Sequence, residues 1–253
     1  MDHRQGALAE LTSERRVSAS RLRVKVFADG ADLEGISRLA ADPLIKGFTT
    51  NPTLMRKAGV SDYVRFAHDV LGLVTDRPVS FEVFSDDPHE MERQARLIAS
   101  WGDNVYVKIP VTDTQGTPTG DLLRRLSLAG VQLNVTGMTT LSQVEQVVGC
   151  LEGDVPAIVS VFAGRIADTG VDPIPVMSEA LEIIAAAPRV ELLWASPREV
   201  LNLVQADQIG CHIITVTHDL LKKAHLLGYD LAAMSLDTVR MFHEDARAAG
   251  YTL

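Results

Sequence analysis

The sequence is short of cysteine, of net positive charge and of long apolar runs. Only Cys150 and Cys211 occur, with no CxxC spacing, and a reduced, cytoplasmic compartment is the expectation. The formal charge of −9 argues against nucleic acid or an anionic membrane as the main partner, so any anion site has to be a local cluster of arginines. No stretch is apolar for long enough to span a bilayer, and the opening MDHRQGALAELTSERR has no signal-peptide core. Neither GxGxxG nor a Walker glycine pattern follows any candidate strand, which counts against a nucleotide-binding sheet. The seven histidines are scattered. None of His68, His89, His212 or His218 has the close pairing a zinc site needs, and His212 and His218 read as core or surface residues. A metal-dependent reaction therefore has little support, and no metal or cofactor is expected. Internal repeats and low-complexity tracts are absent as well.

What is present is a regular alternation. At 253 residues and 46% hydrophobic, the chain can bury a sizeable core. Residues 1 to 22 are polar and lack strand alternation, so they read as a flexible or surface-packed extension. From residue 23 onward, eight short apolar runs read as strands: 23–29, 46–51, 79–84, 104–110, 131–136, 157–163, 190–196 and 211–217. Between them lie helix-length segments such as SDYVRFAHDVLGLV, PHEMERQARLIASW and PVMSEALEIIAAA, with apolar residues three and four apart. Strand followed by helix implies parallel strands with right-handed crossovers. The expected fold is α/β: a single-domain (β/α)8 barrel (a TIM barrel) over residues 23–253, with the polar N-terminal extension and an extra C-terminal helix at 235–250.

Alternation within the strands sorts side chains into two sets. In NVYVKIP, Val105, Val107 and Ile109 face the helices, so Tyr106 and Lys108 point into the barrel. The same parity sends inward Lys25, Phe27 and Asp29 from the first strand and Thr49 and Asn51 from the second. It adds Ser80 and Glu82 from the third and Gln132, Asn134 and Thr136 from the fifth. The sixth strand contributes Ser160 and Phe162, and the seventh Trp194 and Ser196. These inward polar groups are expected toward the C-terminal ends of their strands, where barrels of this kind build active sites. Lys108 is the only lysine between Lys57 and Lys222. Unlike arginine, a lysine can give up its proton and attack a carbonyl, so its place among acceptors is that of a Schiff-base nucleophile.

Plainer explanations stand beside each of these features. Lys108 could snorkel to solvent or simply pair with Glu82. Asp29-Gly30 could be a turn, and Asn51-Pro52 a helix cap with proline at the first position. Ser196-Pro-Arg-Glu199 fits a capping box. Arg198, placed in the first turn of the helix that box would start, and Arg165, right after the sixth strand, could form a fork for a dianion. Alternatively Arg198 is solvated and Arg165 pairs with Asp168 or Asp172. A phosphosugar sensor without catalysis would need no nucleophilic amine at position 108.

At GFTTNPTLM, VKIPVT, VSVFAGRI and WASPRE the sequence resembles the transaldolase family, including fructose-6-phosphate aldolase, over about residues 24 to 245. The resemblance implies a metal-independent (β/α)8 enzyme that forms a Schiff base on Lys108. It implies Asp29 as general acid/base and Glu82 with Thr136 as holders of a catalytic water. Thr49, Asn51, Asn134 and Ser160 would bind substrate hydroxyls and the intermediate. Arg165, Ser196 and Arg198 would hold a phosphate. Glu82 and Phe162 stand where the aldolase branch carries glutamine and tyrosine, so the chain is nearer the transaldolase branch. The implied reaction moves a dihydroxyacetone unit between sugar phosphates of the pentose phosphate pathway. Sugar phosphates are thus the expected partners, while the assembly is left open between a single chain and a homo-oligomer.

Overall fold

A computed structural model describes residues 21–253. The extension expected over 1 to 22 lies outside the described residues except for its last two. Residues Leu22–Leu221 make one compact unit and Lys222–Leu253 belong to another. In the first, eight parallel strands close in sequence order, β1 through β8. The elements are β1 (Lys25–Asp29), α1 (Leu33–Ala40), β2 (Ile45–Thr49), α2 (Pro52–Lys57), α3 (Tyr63–Leu73), β3 (Val79–Glu82), α4 (Pro88–Ala99), β4 (Val105–Pro110), α5 (Gly120–Leu128) and β5 (Leu133–Met138). There follow α6 (Leu141–Val148), β6 (Ala157–Val161), α7 (Ala163–Asp168), α8 (Pro173–Ile184), β7 (Val190–Trp194), α9 (Leu201–Gln208), β8 (Ile213–Thr217) and the short α10 (His218–Leu221). The expected (β/α)8 barrel is the observed fold. The second unit holds the extra helix, α11 (Leu231–Ala248), longer at its start than expected and capped by Asp230, whose side chain accepts from Ala233 N–H. No helix among the described residues is long and apolar enough to cross a membrane.

Local chemistry explains where the helices begin. Asp32, Asn51, Asp62, Asp87 and Asp172 each accept a backbone N–H of the first turn, and Thr140 with Gln143 forms a capping box. Proline at the start of α2, α4 and α8 fixes the entering backbone angle at no hydrogen-bonding cost.

Three layers fill the barrel interior. At the N-terminal end Lys25 pairs with Glu191 at 2.7 Å, and Gln132 donates to the Asp103 carbonyl at 2.7 Å. Lys25 and Gln132 are therefore inward groups at the end opposite to the one expected, because they open their strands rather than close them. Above them Phe27, Tyr106, Ile158, Leu193, Ala195 and Ile213 form an apolar plug against which Phe162 packs. Gly47 makes room for it: a β-carbon there would stand 2.5 Å from the Phe27 ring. The polar groups near the C-terminal ends of β1 through β6 lie above this plug.

Strand β7 departs from the expected parity. Leu193 and Ala195 face inward, whereas Trp194 turns away from the axis with its register partners Val161 and Ile214 and is fully buried. Ser196 does not share its direction through alternation, because the strand has ended. Its φ of +61° places it in a left-handed turn that re-aims the side chain.

Candidate active site

Lys108 is 6% exposed and stands beside Glu82, its register partner on β3. Register partners on parallel strands point the same way, so the ammonium and carboxylate meet: Lys108 Nζ lies 3.1 Å from Glu82 Oε2. The ammonium also donates to the Thr50 carbonyl at 2.8 Å. The expected pairing with Glu82 is present, the amine does not snorkel to solvent, and Lys108 also lines the cavity at the C-terminal end of the barrel. On the other side of β4, Asn134 is in register with Lys108. It is fully buried, donates to Ser80 Oγ at 3.0 Å and accepts from Ser160 Oγ at 2.6 Å, tying β3, β5 and β6 together.

Asp29 closes the opposite wall. Thr49 Oγ1 donates to its Oδ1 at 2.8 Å, and Asn51 Nδ2 lies 3.3 Å from its Oδ2. Asn51 also caps α2 through its amide oxygen, so the capping and site roles coexist in one side chain. Thr215 Oγ1 is 2.5 Å from Thr49 Oγ1. Because the Thr49 proton is committed to Asp29, Thr215 is the donor in that pair. Burial pushes the Asp29 carboxyl above the ordinary carboxylate range. The Lys108 charge, the hydrogen bonds from Thr49 and Asn51 and the His218 ring oppose that rise without cancelling it. Thr136 Oγ1 is buried and has no hydrogen-bond partner among the described residues.

All of these groups except Thr50, Ser80 and His218 line a cavity of about 540 Å³ at the C-terminal end of the barrel, which also takes in Phe162, Arg165, Ser196 and Arg198. A larger depression of about 680 Å³ lies outside, among α1, α2 and α3. Of its carboxylates, Asp32 and Asp62 are spent on helix caps and Asp69 pairs with Arg65, and it contains no lysine.

The arginine end differs from expectation in two respects. Helix α9 begins at Leu201 rather than after Ser196, and no side chain of its N-cap residue Val200 caps it. Asn202, inside the first turn, instead accepts from Arg198 N–H at 2.7 Å and Glu199 N–H at 3.1 Å. The Ser196 capping box is absent, and Arg198 precedes the helix rather than lying in its first turn. Second, Asp168 pairs with Arg198, not Arg165: Arg198 Nε donates to Asp168 Oδ1 at 2.8 Å and Nη2 to Oδ2. Asp172 caps α8, and Arg165 makes no ion pair with the described residues. Arg198 Nη1 donates to Ser196 Oγ at 3.0 Å, at the cavity edge.

A family model described as transaldolase/fructose-6-phosphate aldolase matches residues 26–252. The chain is 36% identical over 199 residues to a probable transaldolase of Dehalococcoides mccartyi, covering 78% of this chain and 88% of the relative. It is 32% identical over 228 residues to a probable transaldolase of Thermoanaerobacter sp., covering 90% and 99%. The chain belongs to the transaldolase/fructose-6-phosphate aldolase family. Among solved structures, KGPDC of Streptococcus mutans superposes with a TM-score of 0.53 at 13% identity, covering 82% of this chain and 94% of that one, a likeness of fold alone.

All the site residues expected from the sequence line the same cavity, that of about 540 Å³: Lys108, Asp29, Glu82, Thr136, Thr49, Asn51, Asn134, Ser160, Phe162, Arg165, Ser196 and Arg198. Thr215 and Thr217 were not among those expected, yet they line it too. The alternation along IITVT is the signal that marks them, since both share the side of Ile213. Nothing local marks the pairing of Asp168 with Arg198 or of the Thr50 carbonyl with Lys108, since these partners lie 30 and 58 residues apart.

Proposed function

We propose that this member of the family is a class I transaldolase, moving a dihydroxyacetone unit from a ketose phosphate to an aldose phosphate. The observation that carries the reading is Lys108, buried on β4 with its amine 3.1 Å from Glu82 and opening onto the cavity that Asp29 shares. Glu82 is placed to take a proton from the ammonium, freeing the amine to attack the ketone carbon of the donor. The carbinolamine then loses water. Glu82 returns the proton to the departing oxygen, and the unpartnered hydroxyl of Thr136 offers the second anchor for that water. The resulting iminium is the electron sink. Asp29 takes the proton of the sugar's fourth hydroxyl as the bond between the third and fourth carbons breaks. Its electron pair passes into the enamine, and an aldose phosphate leaves.

In the second half the enamine attacks the acceptor aldehyde, Asp29 returns its proton to the new alkoxide, and hydrolysis through Glu82 frees the lysine. A carboxyl raised by burial suits a group that must take and return one proton. Thr49 and Asn51 hold that carboxyl against the cavity wall. Arg165, Ser196 and Arg198 would take the phosphate. Glu82 and Phe162 favour transfer over simple cleavage.

The test supplies fructose 6-phosphate with and without erythrose 4-phosphate, follows free dihydroxyacetone and sedoheptulose 7-phosphate, and traps the adduct with borohydride. The expected result is sedoheptulose 7-phosphate only with acceptor present, and a reduced three-carbon remnant on the Lys108 peptide. Dihydroxyacetone release at full rate without acceptor would make the protein an aldolase. Turnover with an unmodified Lys108 peptide would remove the Schiff-base mechanism.

A further inference from the structure

Strands β2 and β3 pair at only two positions, Phe48 with Val79 and Thr49 with Ser80. The last bond between these chains runs from Thr50 N–H to the Ser80 carbonyl at 3.2 Å. In a parallel ladder, successive residues direct their peptide groups to alternate neighbours. Val83 N–H reaches across to the Lys108 carbonyl on β4 at 3.1 Å, so Glu82, like Ser80, directs its own N–H and C=O toward β2. By that height the β2 chain has left the sheet, because Asn51 is already capping α2. The peptide groups of Glu82 have no strand to pair with.

Tyr63 fills the gap. Its hydroxyl accepts from Glu82 N–H at 2.9 Å and donates to the Glu82 carbonyl at 2.9 Å. A phenol has one proton to give and lone pairs to receive, so a single oxygen substitutes for the missing stretch of ladder. The ring has little freedom. It is the first residue of α3, behind the Asp62 cap. It meets Phe81, Phe84 and Trp101 edge-on, with centroids 6.3, 4.6 and 5.8 Å away. Burial holds the phenol well above its usual pKa, which keeps the donated proton in place. A rigid aromatic cluster outside the cavity is thereby bonded to the backbone of the residue whose carboxylate faces Lys108.

We propose that Tyr63 is a positioning residue for proton transfer at Lys108, acting through the backbone of Glu82; this rests on the transaldolase reading of the site. A shift of about 1 Å in a reacting group can cost on the order of a hundredfold in rate, so anchoring both peptide groups of Glu82 bears directly on iminium formation.

The test is a double-mutant cycle among wild type, Tyr63→Phe, Glu82→Gln and the double variant. Its readouts are the single-turnover rate of borohydride-trappable adduct with fructose 6-phosphate, and KM. Tyr63→Phe keeps the ring and removes both bonds. In the wild-type background it should slow adduct formation about tenfold or more with KM nearly unchanged. In the Glu82→Gln background it should change the rate by less than about twofold, since the group it positions is already disabled. A wild-type rate in Tyr63→Phe, or an equal loss in both backgrounds, overturns the proposal.

Amide exchange of the wild-type protein supplies a measurement independent of how the variants fold. The Glu82 amide should be strongly protected, and exchange at the rate of an open loop overturns the clamp. Failure to trap any adduct in wild type removes the reading of the site and this role with it. Trapping in wild type with an indifferent Tyr63→Phe removes the role of Tyr63 alone.

Discussion

Replacing Gly164 with alanine tests the proposal that phosphate is held at the Arg165, Ser196 and Arg198 end of the cavity, apart from Lys108. A β-carbon on Gly164 would stand 1.6 Å from the Ser196 carbonyl oxygen, 2.7 Å from its carbon and 3.5 Å from Arg198 Cγ. Ordinary contact begins near 3.4 Å, so α7 and the loop after β7 have to part by nearly 2 Å. The atoms in the way are backbone, which no rotamer change relieves, and forcing such a contact costs about 1–3 kcal/mol of stability. The loop that gives way carries Ser196, already in a left-handed conformation, and Arg198. Lys108, Glu82 and Asp29 belong to β4, β3 and β1, away from this contact. Losing one charge-assisted contact to phosphate is worth about 1.5–3 kcal/mol, or roughly ten- to a hundredfold in KM. Gly164→Ala should therefore raise KM for fructose 6-phosphate by that factor, yet leave borohydride trapping of unphosphorylated dihydroxyacetone on Lys108 close to wild type. An unchanged KM would refute the assignment of this loop to the phosphate. Equal losses on both ligands would refute the separation of the two ends.

Two further predictions concern the buried charges. Removing one member of a buried ion pair strands the other, at a cost of about 3–5 kcal/mol, and the Lys108 and Glu82 side chains are only 8% and 17% exposed. Glu82→Gln should lower the urea midpoint at pH 7, and adding Lys108→Met should recover most of the loss while abolishing adduct formation. An unshifted midpoint in Glu82→Gln would mean the pair contributes nothing. Asp29 has a raised folded-state pKa, so its contribution to stability is full below the ordinary aspartate value of 3.8 and is lost as pH rises through the folded value. Asp29→Asn should gain on the wild type in urea unfolding as pH rises from about 4, while carbon–carbon cleavage disappears; a pH-independent difference would contradict the burial of that charge.

Much of the chemical end was legible because strand alternation is a local, covalent property. Once NVYVKIP and VSFEVF are recognised as parallel strands, Lys108 and Glu82 have to point to one side, and no distant contact can reverse that. The same reasoning placed Asp29, Asn134 and Ser160. It failed at Trp194, which parity gives the inward side with Ser196 on a strand read as far as 196, whereas the strand ends at Trp194. A single left-handed turn resets direction, and a serine gives less warning of it than a glycine does. It failed as well at the start of α9, where SPRE fits a capping box but Asn202 satisfies the same N–H groups from within the helix. Competition between two local caps is settled by the path of the loop, which here is held against Gly164 by the close approach of two backbones.

The amino-acid order by itself determined the alternation of strand and helix, the inward set on most strands and a lone lysine among carboxylates and hydroxyls. Only the folded chain decided the pairing of Arg198 with Asp168, the chain of hydroxyls from Thr215 through Thr49 to Asp29, and the hold of Tyr63 on Glu82. Those contacts join residues 30, 166, 20 and 19 positions apart. Periodicity encodes the face a residue presents. The partner it meets there depends on strand register and on where neighbouring chains leave the sheet, and those are set by closure of the whole barrel.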